Sequence, residues 1–284
     1  MMYPIDPYPK LIINAALTGL VPTKSHTPFI PLSEDEIVKD AVACARAGAA
    51  MVHLHVRDSE GKPDYRAECY GRIIRRIRGE SDILICVSTT AMAFVDFEKR
   101  SEVLLLEGKG KPELASLSTG SFNFPNRVSV NPPETIFKLA GMMLERGIKP
   151  ELEVFDSGMI NFARYMEKKV NFSKPLMFNF FLGALGGIPG RIGDLAYLIQ
   201  NLPEGSVWSA AGLGVFQLPV NVAAMIAGGG VRVGLEDNLY FDYAKTKLAT
   251  NEQLVQRVVQ IAKLIGREIA TPEDARAALR ISSQ

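Results

Sequence analysis

The chain has 284 residues, 47% of them hydrophobic and 22% charged, the proportions of an ordinary globular protein with enough apolar side chain for one large core. Lys and Arg number 32 against 31 Asp and Glu, a net charge of +1, so fibrous and disordered classes are excluded and nothing points to nucleic acid as a partner. The three cysteines, Cys44, Cys69 and Cys86, form no close pair and imply reduced, buried thiols rather than a disulfide framework.

The chain opens on MMYPIDPYPK, whose three prolines and aspartate break the apolar stretch a secretory leader needs, so a cytoplasmic location is expected. From there, short β-prone apolar runs alternate with longer stretches of helical spacing. Eight strands are expected: Leu11 to Ala16, Met51 to Val56, Ile83 to Ser88, Leu114 to Ser118, Glu151 to Phe155, Leu176 to Leu182, Ser206 to Ala211 and Val231 to Leu235. Helices are expected over Ser33 to Ala47, Tyr65 to Arg78, Pro133 to Arg146 and Asn251 to Ile265. Ser33 with Glu36 makes a capping-box pattern, and Pro132 and Pro133 suit a first turn. The apolar stretch from Val215 to Gly230 is interrupted by Gln217, Pro219 and Asn221 and reads as a buried helix, too short to span a bilayer.

Eight strand–helix units in this length match a closed (β/α)8 barrel. An open doubly wound sheet is the runner-up, but its phosphate-binding glycine fingerprint is missing after the first strand. No linker divides the chain, so residues 1–284 are expected to form one α/β barrel domain. The tail from Thr271 to Gln284 reads as a short extra helix, packed on the outside or on a neighbouring subunit.

Two of the three histidines lie in Met51-Val-His-Leu-His-Val-Arg-Asp58. Residues i and i+2 of a strand share a face, and apolar Leu54 and Val56 suit the helix side, so His53 and His55 point into the barrel near the carboxyl ends of its strands. Such a pair reads either as metal ligands or as core histidines satisfied by barrel hydrogen bonds. The last strand ends in Glu236 and Asp237 and lies two strand spacings from the second, within reach of inward side chains. Glu236 would complete a His2Glu set with open positions, as in a catalytic zinc site, attractive to an anionic chelating substrate. Arg232 and Asp237 form either a structural ion pair or a general base oriented by an arginine. The hydroxyls of 88–90 and of 118–121 line the same rim or cap the next helices, and Asp58 and Asp156 read as scaffold.

These segments resemble one known family. Val52-His-Leu-His-Val-Arg-Asp58, Lys111-Pro-Glu-Leu-Ala-Ser-Leu117, Glu151-Leu-Glu-Val-Phe-Asp-Ser-Gly158, Gly186-Gly-Ile-Pro189 and Val231-Arg-Val-Gly-Leu-Glu-Asp-Asn238 are similar, in order, to motifs of the β-keto acid cleavage enzymes. The resemblance implies a (β/α)8 barrel that condenses a β-keto acid with acetyl-CoA, giving acetoacetate and a new acyl-CoA. It implies one Zn2+ held by His53, His55 and Glu236, with Asp237, Arg232 and Ser88 catalytic and Ser88, Ser121 and Asn123 at the substrate. In this reading zinc polarises the ketone while a base takes a proton from the acetyl methyl group. A homo-oligomer, tetramer or larger, is implied as well.

Some positions depart from the family pattern. Members that cleave an aminohexanoate carry a glutamate where Val21 stands, so a neutral or apolar 3-oxo acid is the expected substrate, since an ammonium there would lose its charge partner. Ser118-Thr-Gly-Ser121, Thr89-Thr90-Ala91, Gly230 and Val215 replace residues that are usual in the family. A zinc amidohydrolase would need more histidines on later strands than the one left, His26. A lyase of the isopropylmalate synthase type would carry its histidine pair on a late strand. A catalytically silent metal- or acyl-CoA-binding barrel, or another metal-dependent barrel lyase, is the alternative.

Overall fold

The computed structural model describes residues 8–282. Eight parallel strands close a barrel: β1 (Ile13–Ala16), β2 (Met51–Leu54), β3 (Leu84–Val87), β4 (Leu114–Ser118), β5 (Lys149–Val154), β6 (Met177–Leu182), β7 (Val207–Gly212) and β8 (Gly230–Val233). Each strand pairs with the next in sequence, and β8 closes on β1 through Ile13↔Val231 and Ala15↔Val233. One helix follows each strand: α1 (Glu34–Ala47), α2 (Ala67–Glu80), α3 (Phe97–Ser101), α4 (Pro133–Glu145), α5 (Ser157–Glu167), α6 (Ile192–Gln200), α7 (Gln217–Ile226) and α8 (Asn251–Leu264). This is the (β/α)8 architecture read from the alternation.

The start signals work as read. Ser33 accepts from the Glu36 amide while the Glu36 carboxylate bonds the Ser33 amide, and Thr250 with Gln253 does the same for α8. These reciprocal bonds satisfy two of the orphan donors of each helix start. Asp156 caps α5 through the Met159 amide, and Asp58 accepts the amides of Glu60 and Lys62 in a tight turn; both are scaffold. All three cysteines are free and buried. No helix among the described residues is long and apolar enough to cross a membrane.

Two expectations need correcting. The second strand does not run to Val56: it leaves the barrel after Leu54, and Val56–Arg57 turns back as an antiparallel hairpin with Pro63–Asp64. The tail helix α9 (Pro272–Leu279), capped by Thr271, does not lie on the outer helix ring. Its Ala275 and Leu279 pack with Ile12, Met51, Leu84, Leu114 and Met177, which closes the barrel at the amino ends of its strands. The inward side chains of that end are apolar and would otherwise face water. The last two residues of the expected tail lie outside the described residues.

The main core lies between strands and helices, where Ile13, Leu54, Ile85, Leu117, Leu152, Phe180 and Val231 meet helix residues such as Ile37, Ile74 and Leu139. The barrel interior is different. Above its apolar amino end it carries Asn14, His53, Cys86, Glu151, Glu153, Asn179, Ser209 and Arg232, all buried. Buried polar groups on this scale must satisfy one another or a ligand.

Candidate active site and metal centre

β1 separates β2 from β8 in the barrel, and its small Ala16 pairs with His53, which leaves room for side chains from the two flanking strands to meet above it. His53 is the penultimate residue of β2 and His55 follows one residue past the strand, yet both project to one side: their Nε2 atoms are 3.2 Å apart. Glu236, beyond β8, reaches the same point, with Oε1 at 3.2 Å from His55 Nε2 and 4.0 Å from His53 Nε2. Its backbone is fixed by an amide hydrogen bond to Ala16 O.

A tetrahedral centre with metal–ligand bonds near 2.0–2.1 Å requires donor–donor edges of about 3.3 Å. Two of the three edges here match within about 0.1 Å and the third is longer by about 0.7 Å. Two imidazole nitrogens this close cannot both carry protons, and His53 Nδ1 and Glu236 Oε2 are buried with no hydrogen-bond partner. The donor set therefore fits a divalent cation. Burial, then the charge of Arg232, pushes the His53 imidazole well below the usual histidine range, so it is neutral and its lone pair is available.

Arg232 is fully buried and joins this group to its neighbour. Its Nη2 donates to Glu236 Oε1 at 2.7 Å, and its Nε donates to Asp237 Oδ2 at 3.0 Å. The guanidinium also lies 4.8 Å over the Phe181 ring. Burial alone would raise the Glu236 carboxyl, but Arg232 and then the two imidazoles outweigh it and hold Glu236 well below the carboxylate range. For Asp237 burial wins over Arg232 and, with repulsion from Glu236, raises its pKa. Two adjacent carboxylates are thus pushed apart, one a fixed anion and the other a better base.

A slot of about 20 Å³ opens beside this cluster, lined by Leu20, His55, Tyr65, Ser88, Thr90 and Phe94. Ser88 is therefore at the site, its Oγ accepting from the Thr90 amide. Val21 is 57% exposed, one residue from Leu20 of the slot. Ser121 and Asn123 are exposed: the Ser121 Oγ accepts the Asn131 amide at 2.7 Å, and Asn123 sits in a hairpin of Phe122–Phe124 with Arg127–Ser129. No hydrogen bond or ion pair among the described residues joins either to the cluster. His26 is exposed and bonded to Thr23, away from the other two histidines.

The residues alone did not single out the carboxylates below the cluster. Glu151 accepts from Asn14 Nδ2 at 3.1 Å and from Cys86 Sγ at 3.6 Å, and burial raises it to about 7. Glu153 accepts from Ser118 Oγ at 2.7 Å and is raised by burial. His53, Cys86 and Glu151 form a second group close enough to share an ion. A signal was present: Glu151 and Glu153 stand at i and i+2 of one strand, the spacing that identified the histidines.

Comparison with known proteins places the chain in a family. The sequence model of the β-keto acid cleavage enzyme family matches residues 10–281. A 3-keto-5-aminohexanoate cleavage enzyme of Fusobacterium nucleatum is 41% identical, over 96% of this chain and 98% of its own length. A 3-oxoadipate:acetyl-CoA acetyltransferase of Cupriavidus necator is 34% identical, over 96% and 95%. Among solved structures, the binary complex of ObcA with oxaloacetate superposes with a TM-score of 0.82 at 21% identity, over 91% of this chain and 69% of that one, a likeness of fold. The chain belongs to the β-keto acid cleavage enzyme family.

Proposed function

We propose that this enzyme is a zinc-dependent acyltransferase that converts a neutral or apolar 3-oxo acid and acetyl-CoA into acetoacetate and a new acyl-CoA. The observation that carries the reading is the convergence of His53, His55 and Glu236 on one point beside the buried Arg232–Asp237 pair. Zinc held by those three donors supplies Lewis-acid polarisation of the substrate's carbonyl oxygen.

Carbon balance decides which reactant is deprotonated. Free acetoacetate keeps the carboxylate and C2 of the 3-oxo acid, so the new bond joins that C2 to the acetyl carbonyl carbon. An acetyl-methyl carbanion, the route first read from the family resemblance, would place the new bond elsewhere. Asp237 takes the C2 proton, and the guanidinium of Arg232 stabilises the charge that develops beside it. The C2 carbanion displaces coenzyme A thiolate from the acetyl group. The thiolate then attacks the C3 ketone, the C2–C3 bond breaks, and C2 recovers a proton from Asp237 as acetoacetate leaves. Ser88, which lines the slot beside His55, would bind the keto acid, with Ser121 and Asn123 contributing from the outer rim.

The substrate reading rests on Val21. It offers no charge to an amino group, and Asp64 in the adjoining slot is already paired with Arg66 at 3.0 Å. The relative from Fusobacterium nucleatum bears an aminohexanoate name, so the proposal separates this chain from that relative. Action in the cytoplasm as a homo-oligomer, with residues 1–284 as one working unit, completes the reading. The test is acetoacetate formation from acetyl-CoA with a panel of 3-oxo acids, with and without a chelator. Chelator-sensitive product that needs both substrates supports the reaction. No product from the metal-loaded protein with any member overturns it, and preference for the 5-amino substrate overturns the Val21 argument.

A further inference from the structure

Arg57 is buried and has no carboxylate within hydrogen-bonding distance. Its donors go to backbone carbonyls: Nε and Nη2 to Gly19 O at 3.0 and 2.7 Å, Nη2 to Pro22 O at 3.2 Å, and Nη1 to Gly61 O at 2.8 Å. Among the described residues, no other hydrogen bond reaches 19–22. The segment after β1 is thus tethered by one side chain, which also grips the turn of the hairpin that follows His55.

That segment touches the site through Gly19 and Leu20. Gly19 adopts a left-handed φ of +61°, and a Cβ there would fall 2.5 Å from Cγ of Glu236, so the Gly19 backbone is packed directly against a metal-ligating side chain. Leu20 lines the slot beside His55, and Val21 lies between the two carbonyls that Arg57 holds. A buried guanidinium among neutral carbonyls is costly to maintain, since burial depresses its charged form. Its planar fork reaches carbonyls on two loops at once, in a fixed geometry that a flexible ammonium does not reproduce.

We infer that Arg57 is a positioning residue for substrate selection: it clamps the Gly19–Pro22 segment so that Leu20 and Val21 wall the keto acid's side chain and Gly19 backs Glu236. The inference rests on the proposed reaction, and its test has an arm that does not. Arg57→Lys keeps the charge near Glu236 and loses the fork; Arg57→Gln loses the charge as well. In the full chain loaded with zinc, methyl relaxation by NMR should show Leu20 and Val21 gaining mobility in both variants while Leu54 of β2 is unchanged. KM for an uncharged 3-oxo acid should rise about tenfold in both, with kcat within about threefold, as for loss of positioning rather than of chemistry. KM for acetyl-CoA should not move.

Rigid Leu20 and Val21 methyls in Arg57→Lys would overturn the clamp. A wild-type-like lysine variant beside a defective glutamine variant would overturn it too, since charge alone would then be responsible. A fall in kcat and melting temperature with unchanged KM would reduce Arg57 to a structural role and also overturn the inference. If the wild-type protein makes no acetoacetate, the proposed reaction fails while the relaxation arm still decides the clamp.

Discussion

Glu236→Gln tests the metal centre directly, because the amide keeps the shape of the side chain and removes its charge. Gln can still accept from Arg232, which retains Asp237 at 3.0 Å, so the metal-free fold should lose only about 1 kcal/mol, part of one charge-assisted hydrogen bond. Metal binding should suffer far more. Replacing the single anionic donor of a His2Glu set should weaken affinity at least as much as the roughly 100-fold seen when outer-shell partners are removed. A cation present at about 1,000 times its Kd stabilises the native state by about 4 kcal/mol, and a 100-fold loss of affinity removes about 2.7 kcal/mol of that. For a chain of this size the loss corresponds to about 5 °C in melting temperature.

The assay is thermal unfolding after chelation and dialysis, with and without added zinc, for wild type, Glu236→Gln and Cys86→Ser. Wild type and Cys86→Ser should show the zinc-dependent rise in melting temperature, and Glu236→Gln should lose most of it. The cysteine variant matters because His53, Cys86 and Glu151 form the other group able to share an ion. An undiminished rise in Glu236→Gln, with loss of the rise in Cys86→Ser, would refute the reasoning and move the metal one layer down the barrel.

Asp237→Asn should lower kcat by about 10²–10⁴-fold, the range for loss of a general base, and flatten the pH–rate profile; an unchanged profile would assign the base elsewhere. The same variant should lose up to about 3 kcal/mol in urea unfolding, less than for a fully broken buried pair because Glu236 still faces Arg232. Asp40, bonded to Asn251 Nδ2 at 2.6 Å, is raised by burial from 3.8 to about 6. The native state therefore binds this proton more tightly than the unfolded chain, and stability falls as pH rises from about 4 to about 6. Asp40→Asn should stabilise the protein by about 1–3 kcal/mol at pH 8 and have little effect at pH 4; equal effects in denaturant melts at both would refute it. Gly186→Ala would put a Cβ 2.2 Å from Asn123 O and should cost about 1–3 kcal/mol by overpacking, with a melting temperature as the check. A wild-type value would mean that the hairpin simply shifts.

How much of this was legible in the sequence depends on where the partners of each residue lie. The barrel order and the His53–His55–Glu236 convergence follow from periodicity, because side chains two apart on a strand share a face and adjacent strands are a fixed distance apart. That reasoning tolerated an error: His55 lies outside β2, yet the chain keeps its alternation for one residue past the last ladder bond. The same arithmetic applied to Glu151 and Glu153 would have placed two carboxylates in the barrel, but a buried acid is plausible only once its partners are known. Theirs come from strands far away in sequence, with Asn14 separated by 137 residues, Cys86 by 65 and Ser118 by 35. Arg57 is harder still to read. It stands in the same motif as the histidines, but its acceptors are carbonyls of Gly19, Pro22 and Gly61, and any residue supplies a carbonyl. Side-chain chemistry on regular strands therefore leaves a mark in sequence, whereas a clamp on irregular backbone does not. The exposed loops are read less directly, since Ser121 and Asn123 sit on a hairpin whose bonds lead to Asn131 and its own second strand. On the proposed reading, specificity is set by how the loops are held, and the segment from Gly19 to Pro22, where Gly19 abuts Glu236 and Leu20 lines the slot, is where this chain's own backbone geometry enters the site.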